Sequence, residues 1–569
     1  MKPAGASVLV TSHWPARPRR VARRPAPSPL RLAAWTAAGL AVLPISAILW
    51  LALTGQGAAA IPLGLIGRYA ATSAALAAMV AIGTTVIGTA AAWAVVMHRF
   101  PGRGVFAWAL VLPLAAPAFA TAYGYADLFD VAGPLRAALR AWAGKDVFPF
   151  EVRTLPGAAG VLILAYYPYV YLTARTAFVT QSARTLEVAR TLGAAPWTTF
   201  WSVALPLARP AIAAGAALAV METLADYGAV NFLGVQTLTT GVVRAWSVYG
   251  SAAAAARMAL VLLAAAAALL WLERRSRLNQ GFAASGSAWR TIGLTPLRGW
   301  TGCAACLFCA LLLGLGLVLP AAWLAVRAAA VSPDLAHVGR AALVSLGLAA
   351  GGAAATVLLA SLLAFGERSG HWAKRIASLG YATPGAVMAV GLLAPAGLVW
   401  RNLGGMGDDV GAGLALLILA YAARLMASAL QPIEAGLTRT TASMDHAARS
   451  LGEDEAGAVW RVHAPLAGGA LWTAGLLVLV DVLKELPATL ILRPFDFDTL
   501  AVLADRYAGD ERLGQAAWPA LLIVAAALGP TIFLSRKALG ARPGGASADA
   551  APSRDMGGAS GGDGAGGGR

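Results

Sequence analysis

Runs of mostly apolar residues, each about as long as the roughly 20-residue stretch that carries a helix across a bilayer, recur along the whole chain. At that width the pattern predicts about twelve helices, near 32–53, 70–97, 105–128, 157–178, 206–235, 252–272, 302–326, 341–365, 377–400, 411–430, 468–492 and 515–535. Composition agrees: 59% of the 569 residues are hydrophobic and only 12% charged, far more apolar surface than a soluble core of this length needs. The expected fold class is an all-α polytopic membrane protein.

A net charge of +17 raises the question of nucleic acid, but Lys and Arg sit in short segments between the apolar runs, and no basic face alternates with aromatics. Enrichment of Lys and Arg on cytoplasmic loops explains the charge better. With the N-terminus inside, the two tails and the loops at 98–103, 179–205, 273–298, 367–375 and 431–467 hold most of the 44 Lys and Arg. Both termini are therefore expected in the cytoplasm. Residues 1–31, with Arg17, Arg19, Arg20, Arg23 and Arg24 among prolines, look like the start of a signal peptide, yet the apolar run that follows lacks a small-residue cleavage site and reads as an uncleaved first helix. At the other end, 538–569 is Gly, Ala and Ser with scattered charge, a composition that predicts a disordered tail. Cys303, Cys306 and Cys309 share a stripe of the seventh run. A sulfur-ligated site usually needs four ligands and no His is near, so packing is their expected role and no permanently bound metal is expected.

Self-comparison divides the chain in two. EVARTLGAAPWTTFWSVALP (187–206) aligns at an offset of 259 with HAARSLGEDEAGAVWRVHAP (446–465), so that Ala189 falls on Ala448, Gly193 on Gly452, Trp201 on Trp460 and Pro206 on Pro465. Farther on, Glu222 falls on Asp481 and Asp226 on Glu485, while the stretch from Arg68 resembles that from Arg340 at an offset of 272. The predicted organisation is a basic tail (1–31), a six-helix half (32–273), a linker (274–300), a second six-helix half (301–537) and the C-terminal tail. An even number of spans gives both halves the same orientation, related by an axis along the membrane normal, with a substrate path between them.

Both aligned segments lie in loops, 179–205 and 431–467, longer than a connection needs. Residues 187–192 can form a short helix that Gly193 ends in the left-handed conformation. Pro196 can begin a second helix, whose Trp197, Phe200 and Trp201 form an apolar ridge, and Pro206 marks entry to the next span. As mere connectors, these loops would rest on the membrane surface with Trp197 and Trp201 as interfacial anchors. Duplication at one offset, on one side and before the fifth span of each half, favours docking of a partner.

An acidic residue, x, Ala, then Gly six residues after the acid and Leu-Pro thirteen after that Gly is a pattern that resembles the EAA loop of ABC importer permeases. The resemblance implies that Glu187, Ala189, Gly193 and Pro206 couple to a cytoplasmic ATPase, with Ala448, Gly452 and Pro465 as the second copy. There the pattern departs, with His446 at the acidic position and Asp445 one residue earlier. The chain has no G-x-x-x-x-G-K-[ST] loop to bind nucleotide. ATP and magnesium would belong to the partner, present in two copies. No G-x-S-x-G or H-E-x-x-H pattern occurs, and His13, His98, His337, His371, His446 and His463 are scattered. No catalytic site, and no cofactor of the chain's own, is expected.

Ionisable residues inside apolar runs are costly and are functional candidates. Glu222 and Asp226, spaced i,i+4 on the fifth run, correspond to Asp481, Lys484 and Glu485 on the eleventh. One reading places them at the outer helix ends, with Lys484 neutralising Asp481. The other places them on a cation's path, where carboxylates and the phenol of Tyr227 suit a hard trivalent ion. METLADYGAVNFLGVQTLTTGVVRAW (221–246) and DVLKELPATLILRPFDFDTLA (481–501) are similar to segments of ferric-iron ABC importer permeases, two-domain proteins of the bacterial inner membrane served by a periplasmic iron-binding protein. Related permeases carry thiamine, phosphonates and other solutes. By the same resemblance the outer loops near 129–156, 236–251 and 493–514 would receive the binding protein. A secondary transporter in which the four carboxylates carry protons is the rival class; it leaves the paired loops unexplained.

Overall fold

The computed structural model describes residues 29–54, 62–144, 151–180, 196–278, 294–366, 372–377, 380, 383–402, 410–438 and 440–540. Because the apolar runs show no polar face, each folds into a helix whose backbone groups are satisfied internally, as a bilayer requires. The first half contains α1 (Pro29–Thr54), α2 (Leu63–Met97), α3 (Arg103–Ala109), α4 (Ala118–Phe129), α5 (Pro134–Ala143), α6 (Leu155–Thr180), α7 (Leu205–Ala225), α8 (Gly228–Phe232), α9 (Leu238–Ser247) and α10 (Ala252–Leu278). In the second half follow α11 (Trp300–Leu313), α12 (Leu319–Ala329), α13 (Leu335–Gly366), α14 (Trp372–Ala377), α15 (Gly385–Asn402), α16 (Val410–Leu437), α17 (Ala442–Ser450), α18 (Ala464–Leu483), α19 (Pro487–Leu492), α20 (Leu500–Gly509) and α21 (Leu513–Gly540).

Among the described residues ten helices are long and apolar enough to cross a membrane, or eleven if one bent pair counts as a span. That pair is the third predicted run, which bends by 89° rather than crossing straight. Pro113 and Pro117 are the cause: each lacks an amide, and the residue before a proline is pushed out of the helical region, as Ala116 is at φ −86°, ψ 128°. In the ninth run the long helix starts later than expected, α15 beginning at Gly385 directly after Pro384 rather than near 377. The fifth and eleventh runs end sooner than expected, at Ala225 and Leu483 rather than near 235 and 492. Each gives way to a short helix, α8 or α19, and then to a longer one, α9 or α20.

The two sequence halves exchange their first helices. Ala34, Ala37, Ala38 and Ala41 of α1, spaced to share one helical face, are buried against α13, α15 and α16 of the second half. Conversely, Cys309 and Leu312 of α11 are buried against α2, α3 and α6 of the first, so Cys309 is a packing residue. Lipid offers helices no hydrophobic drive to associate, so close backbone approach through small residues does this work. Glycines permit it: a Cβ at Gly391 would overlap the Pro44 carbonyl of α1, one at Gly366 the Leu30 carbonyl of the same helix, and one at Gly124 would sit 3.0 Å from Pro320 of α12. On this last contact Trp323 Nε1 donates to Asp127 Oδ2 at 2.8 Å. A two-residue parallel pairing, β1 (His98–Arg99) with β2 (Thr295–Pro296), straps the end of the linker to the first half just before α11 begins.

Candidate functional site

The helix breaks after α7 and α18 are built alike. After α7, the Asp226 carboxylate accepts the Val230 amide of α8 at 3.1 Å. After α18, the Glu485 carboxylate accepts the Ala488 amide of α19 at 3.0 Å. An acid at a helix start offsets the exposed amides and the positive end of the helix dipole, which is one physical reason for the coincidence at offset 259. The longer helices that follow start on Thr237 and Thr499, which cap them. Each is also tied to its own half by a serine, since Leu238 N donates to Ser73 Oγ at 2.8 Å and Leu500 N to Ser345 Oγ at 2.7 Å. From the aligned acid to the capping threonine the second half is three residues longer, Glu485 to Thr499 against Asp226 to Thr237, and Phe495 in this stretch is fully exposed.

Between the two breaks lies a cavity of about 90 Å³, lined by all six predicted path residues: Glu222, Asp226, Tyr227, Asp481, Lys484 and Glu485. It admits a few waters or a small ion carrying part of its hydration shell. These residues stand at helix ends, with Lys484 Nζ 2.9 Å from Asp481, and they face one chamber between the halves. Arg424 of α16 also lines the chamber and ion-pairs with Glu485, which is 7% exposed. Thus the second half's two carboxylates are each neutralised by a cation. Among the described residues neither Glu222 nor Asp226 of the first half makes an ion pair; Asp226 is met instead by the Tyr166 hydroxyl at 3.4 Å.

Of the two loops expected to dock a partner, the first has Glu187, Ala189 and Gly193 outside the described residues. Downstream, Trp197 and Trp201 are 71% and 52% exposed and meet edge to face at 5.5 Å, with Phe200 beside them. In the second loop α17 ends as the repeat predicts. Gly452 takes φ +86°, Glu453 N donates to Ala448 O at 3.1 Å and Gly452 N to Arg449 O at 3.0 Å, the paired bonds of a Schellman cap. Ala448 is buried, His446 exposed and Trp460 75% exposed. Asp445 turns inward to His463 Nε2 at 2.6 Å, a contact the first copy cannot make because Leu186 and Ala204 occupy those positions. Both loops then enter the span through a π-turn at the same offset, Phe200–Ala204 and Val459–His463, just before Pro206 and Pro465. One extra residue per turn re-aims what precedes it, and such turns concentrate at functional positions.

Residues 84–278 match the family described as the binding-protein-dependent transport system inner membrane component. Over 471 residues, 80% of this chain and 87% of the relative, it is 26% identical to an Fe(3+)-transport system permease protein, FbpB 2, of Haemophilus influenzae. It is 31% identical to the molybdenum transport system permease ModB of Azotobacter vinelandii over 28% of this chain and 69% of that one. To the sulfate transport system permease CysT of Escherichia coli it is 32% identical over 26% of this chain and 52% of that one. The chain belongs to this permease family. It is a multi-pass inner-membrane permease of a binding-protein-dependent ABC importer, a transporter's membrane component that works with an ABC ATPase and a periplasmic binding protein.

Sequence reasoning about the permease missed Arg424 and Tyr166. Arg424 was legible as a lone cation inside the tenth apolar run, the same signal that marked Glu222. Tyr166 carried no signal, since tyrosine is ordinary in such runs. Gly385 was equally silent: a Cβ there would overlap the Glu485 carboxylate, so only glycine leaves room for the Arg424 pair.

Proposed function

We propose that the permease carries ferric iron, with the chamber between α7 and α18 as part of its path. The observation that carries this reading is the imbalance of the chamber: four carboxylates against two cations, with the surplus negative charge on Glu222 and Asp226 beside the phenols of Tyr166 and Tyr227. Hard oxygen donors of this kind suit a trivalent cation, whereas an oxyanion would meet repulsion. The relative with matching coverage is named for Fe(3+), which supports the same choice over the solutes of the shorter relatives. A path residue must release its ion, so the two carboxylates serve as a transient waypoint rather than a resident metal site.

In this reading two copies of the ATPase, holding ATP and magnesium, seat on the loops around Glu187–Pro206 and His446–Pro465, both on the cytoplasmic side with the termini. Their closure on ATP pushes the two loops and rocks the halves, opening the chamber first to the binding protein and then to the cytoplasm. The exchanged helices α1 and α11 make each half move with a piece of the other, favouring concerted motion. Purified permease with its ATPase in nanodiscs should show vanadate-sensitive hydrolysis stimulated by iron-loaded binding protein. Proteoliposomes should take up radiolabelled ferric iron, and Glu222→Gln with Asp226→Asn should lower uptake at least tenfold while hydrolysis stays coupled to the binding protein. Uptake that survives removal of the ATPase, or stops with an uncoupler at constant ATP, would refute the mechanism; undiminished iron uptake in the double variant would refute the path.

A further inference from the structure

A second hollow, unrelated to the chamber, lies between α13 and α18. It is a groove of about 380 Å³, open along one side and lined only by apolar side chains and glycine, including Ala350, Ala354, Gly468, Trp472 and Gly475. Both helices are among those long enough to cross a membrane, so the groove opens where the surrounding solvent is hydrocarbon, and no ionisable group lines it. Among the described residues the first half carries different side chains at the positions of these walls. At the repeat offsets Gly468, Trp472 and Gly475 become Arg209, Ala213 and Ala216, and Ala354 becomes Ile82, which projects with 68% of its surface exposed.

Length and charge identify the occupant. From Gly468 to Leu479 the groove follows α18 over twelve residues, eleven rises or about 16 Å. That is half of a roughly 30 Å hydrocarbon core, one leaflet deep. At the end nearer the docking loop stands Lys537 of α21, exposed, with Nζ donating to Gly469 O at 2.9 Å and Thr473 Oγ1 at 2.8 Å. An ammonium has three donors, so one remains to face a phosphate beside the Gly468 end of the groove.

We propose that this groove binds one acyl chain of an anionic phospholipid from the leaflet on the docking-loop side, with the lipid phosphate held by Lys537. The site would place a lipid against α18, which carries on from the loop on which, in the reading proposed above, the ATPase seats, making the transport cycle sensitive to lipid composition. Gly475 has room for a side chain, its Cβ position lying 3.9 Å from Val357, so the groove can be filled from one wall without forcing the helices apart.

The test uses the full chain with its ATPase in nanodiscs containing phosphatidylglycerol that bears a photoreactive acyl chain. Peptides covering 350–357 and 468–479 should be labelled at least fivefold more than their first-half counterparts at 78–85 and 209–220. Gly475→Phe and, from the other wall, Ala354→Phe should each remove at least four-fifths of that label while label elsewhere and ATPase association are unchanged. Lys537→Gln should erase the preference for phosphatidylglycerol over phosphatidylcholine but keep the label. Equal labelling of both halves, as bulk lipid would give, or label unchanged in both filling variants, overturns the groove assignment; a preference unchanged in Lys537→Gln overturns the headgroup assignment.

Discussion

Replacing Arg424 by Met tests whether the second half's contribution to the chamber is a neutral, locked pair. The guanidinium is 16% exposed and its partner Glu485 only 7%, so the variant strands a carboxylate that water barely reaches. Breaking a buried pair by removing one partner costs about 3–5 kcal/mol. Glu485 keeps the Ala488 amide at 3.0 Å, and the chamber wets part of it, so the loss is expected near the lower end, about 3 kcal/mol or on the order of a 150-fold change in the folded-to-unfolded ratio. Arg424→Met combined with Glu485→Gln removes both charges and leaves an amide oxygen for Ala488; its stability should return to within about 1 kcal/mol of the wild type. Equilibrium unfolding by a denaturing detergent in mixed micelles, followed by tryptophan fluorescence, measures all three. If Arg424→Met unfolds within about 0.5 kcal/mol of the wild type, or if the double variant is no more stable than the single, the pair is not the buried lock described.

In the loop after α16, proposed to dock the ATPase, Gly452→Val forces a β-branched residue to φ +86°, at a cost of roughly 1–2 kcal/mol for the left-handed conformation, and should release the Schellman cap. Co-purified ATPase should fall several-fold while the chain remains inserted; wild-type recovery of the ATPase would count against docking there. Glu187→Lys in the first loop should abolish binding-protein-stimulated hydrolysis, and its effect should exceed that of His446→Glu because only the first copy keeps the acid. Ser73→Ala and Ser345→Ala each leave a buried amide, at Leu238 or Leu500, without its acceptor. Each should lower stability by about 1–3 kcal/mol, and the two losses should add because the sites lie in different halves; a single loss equal to the combined one would show that the sites are not independent.

The amino-acid sequence by itself determined the number and place of the apolar runs, the repeat, and the alignment of Asp226 with Glu485 and of Gly193 with Gly452, because each is a one-dimensional pattern enforced by local physics. A bilayer demands an apolar stretch of set length, a left-handed helix end demands glycine, and a short helix start favours an acid. What that pattern could not express was which helix packs on which. The exchange of α1 and of the span begun by α11 between the halves appeared only in three dimensions, since it depends on whether Gly391 lets the Pro44 backbone approach and Gly124 that of Pro320, contacts remote in sequence. The same holds for the breaks that ended the fifth and eleventh helices early, and for the asymmetry of the chamber. Along the chain only Asp481 had a cation beside it, in Lys484; the imbalance between the halves became complete when α16 delivered Arg424 to Glu485 while no cation paired with Glu222 or Asp226 among the described residues. Charge balance is a property of distances across the fold, and distance between helices is what a sequence does not carry.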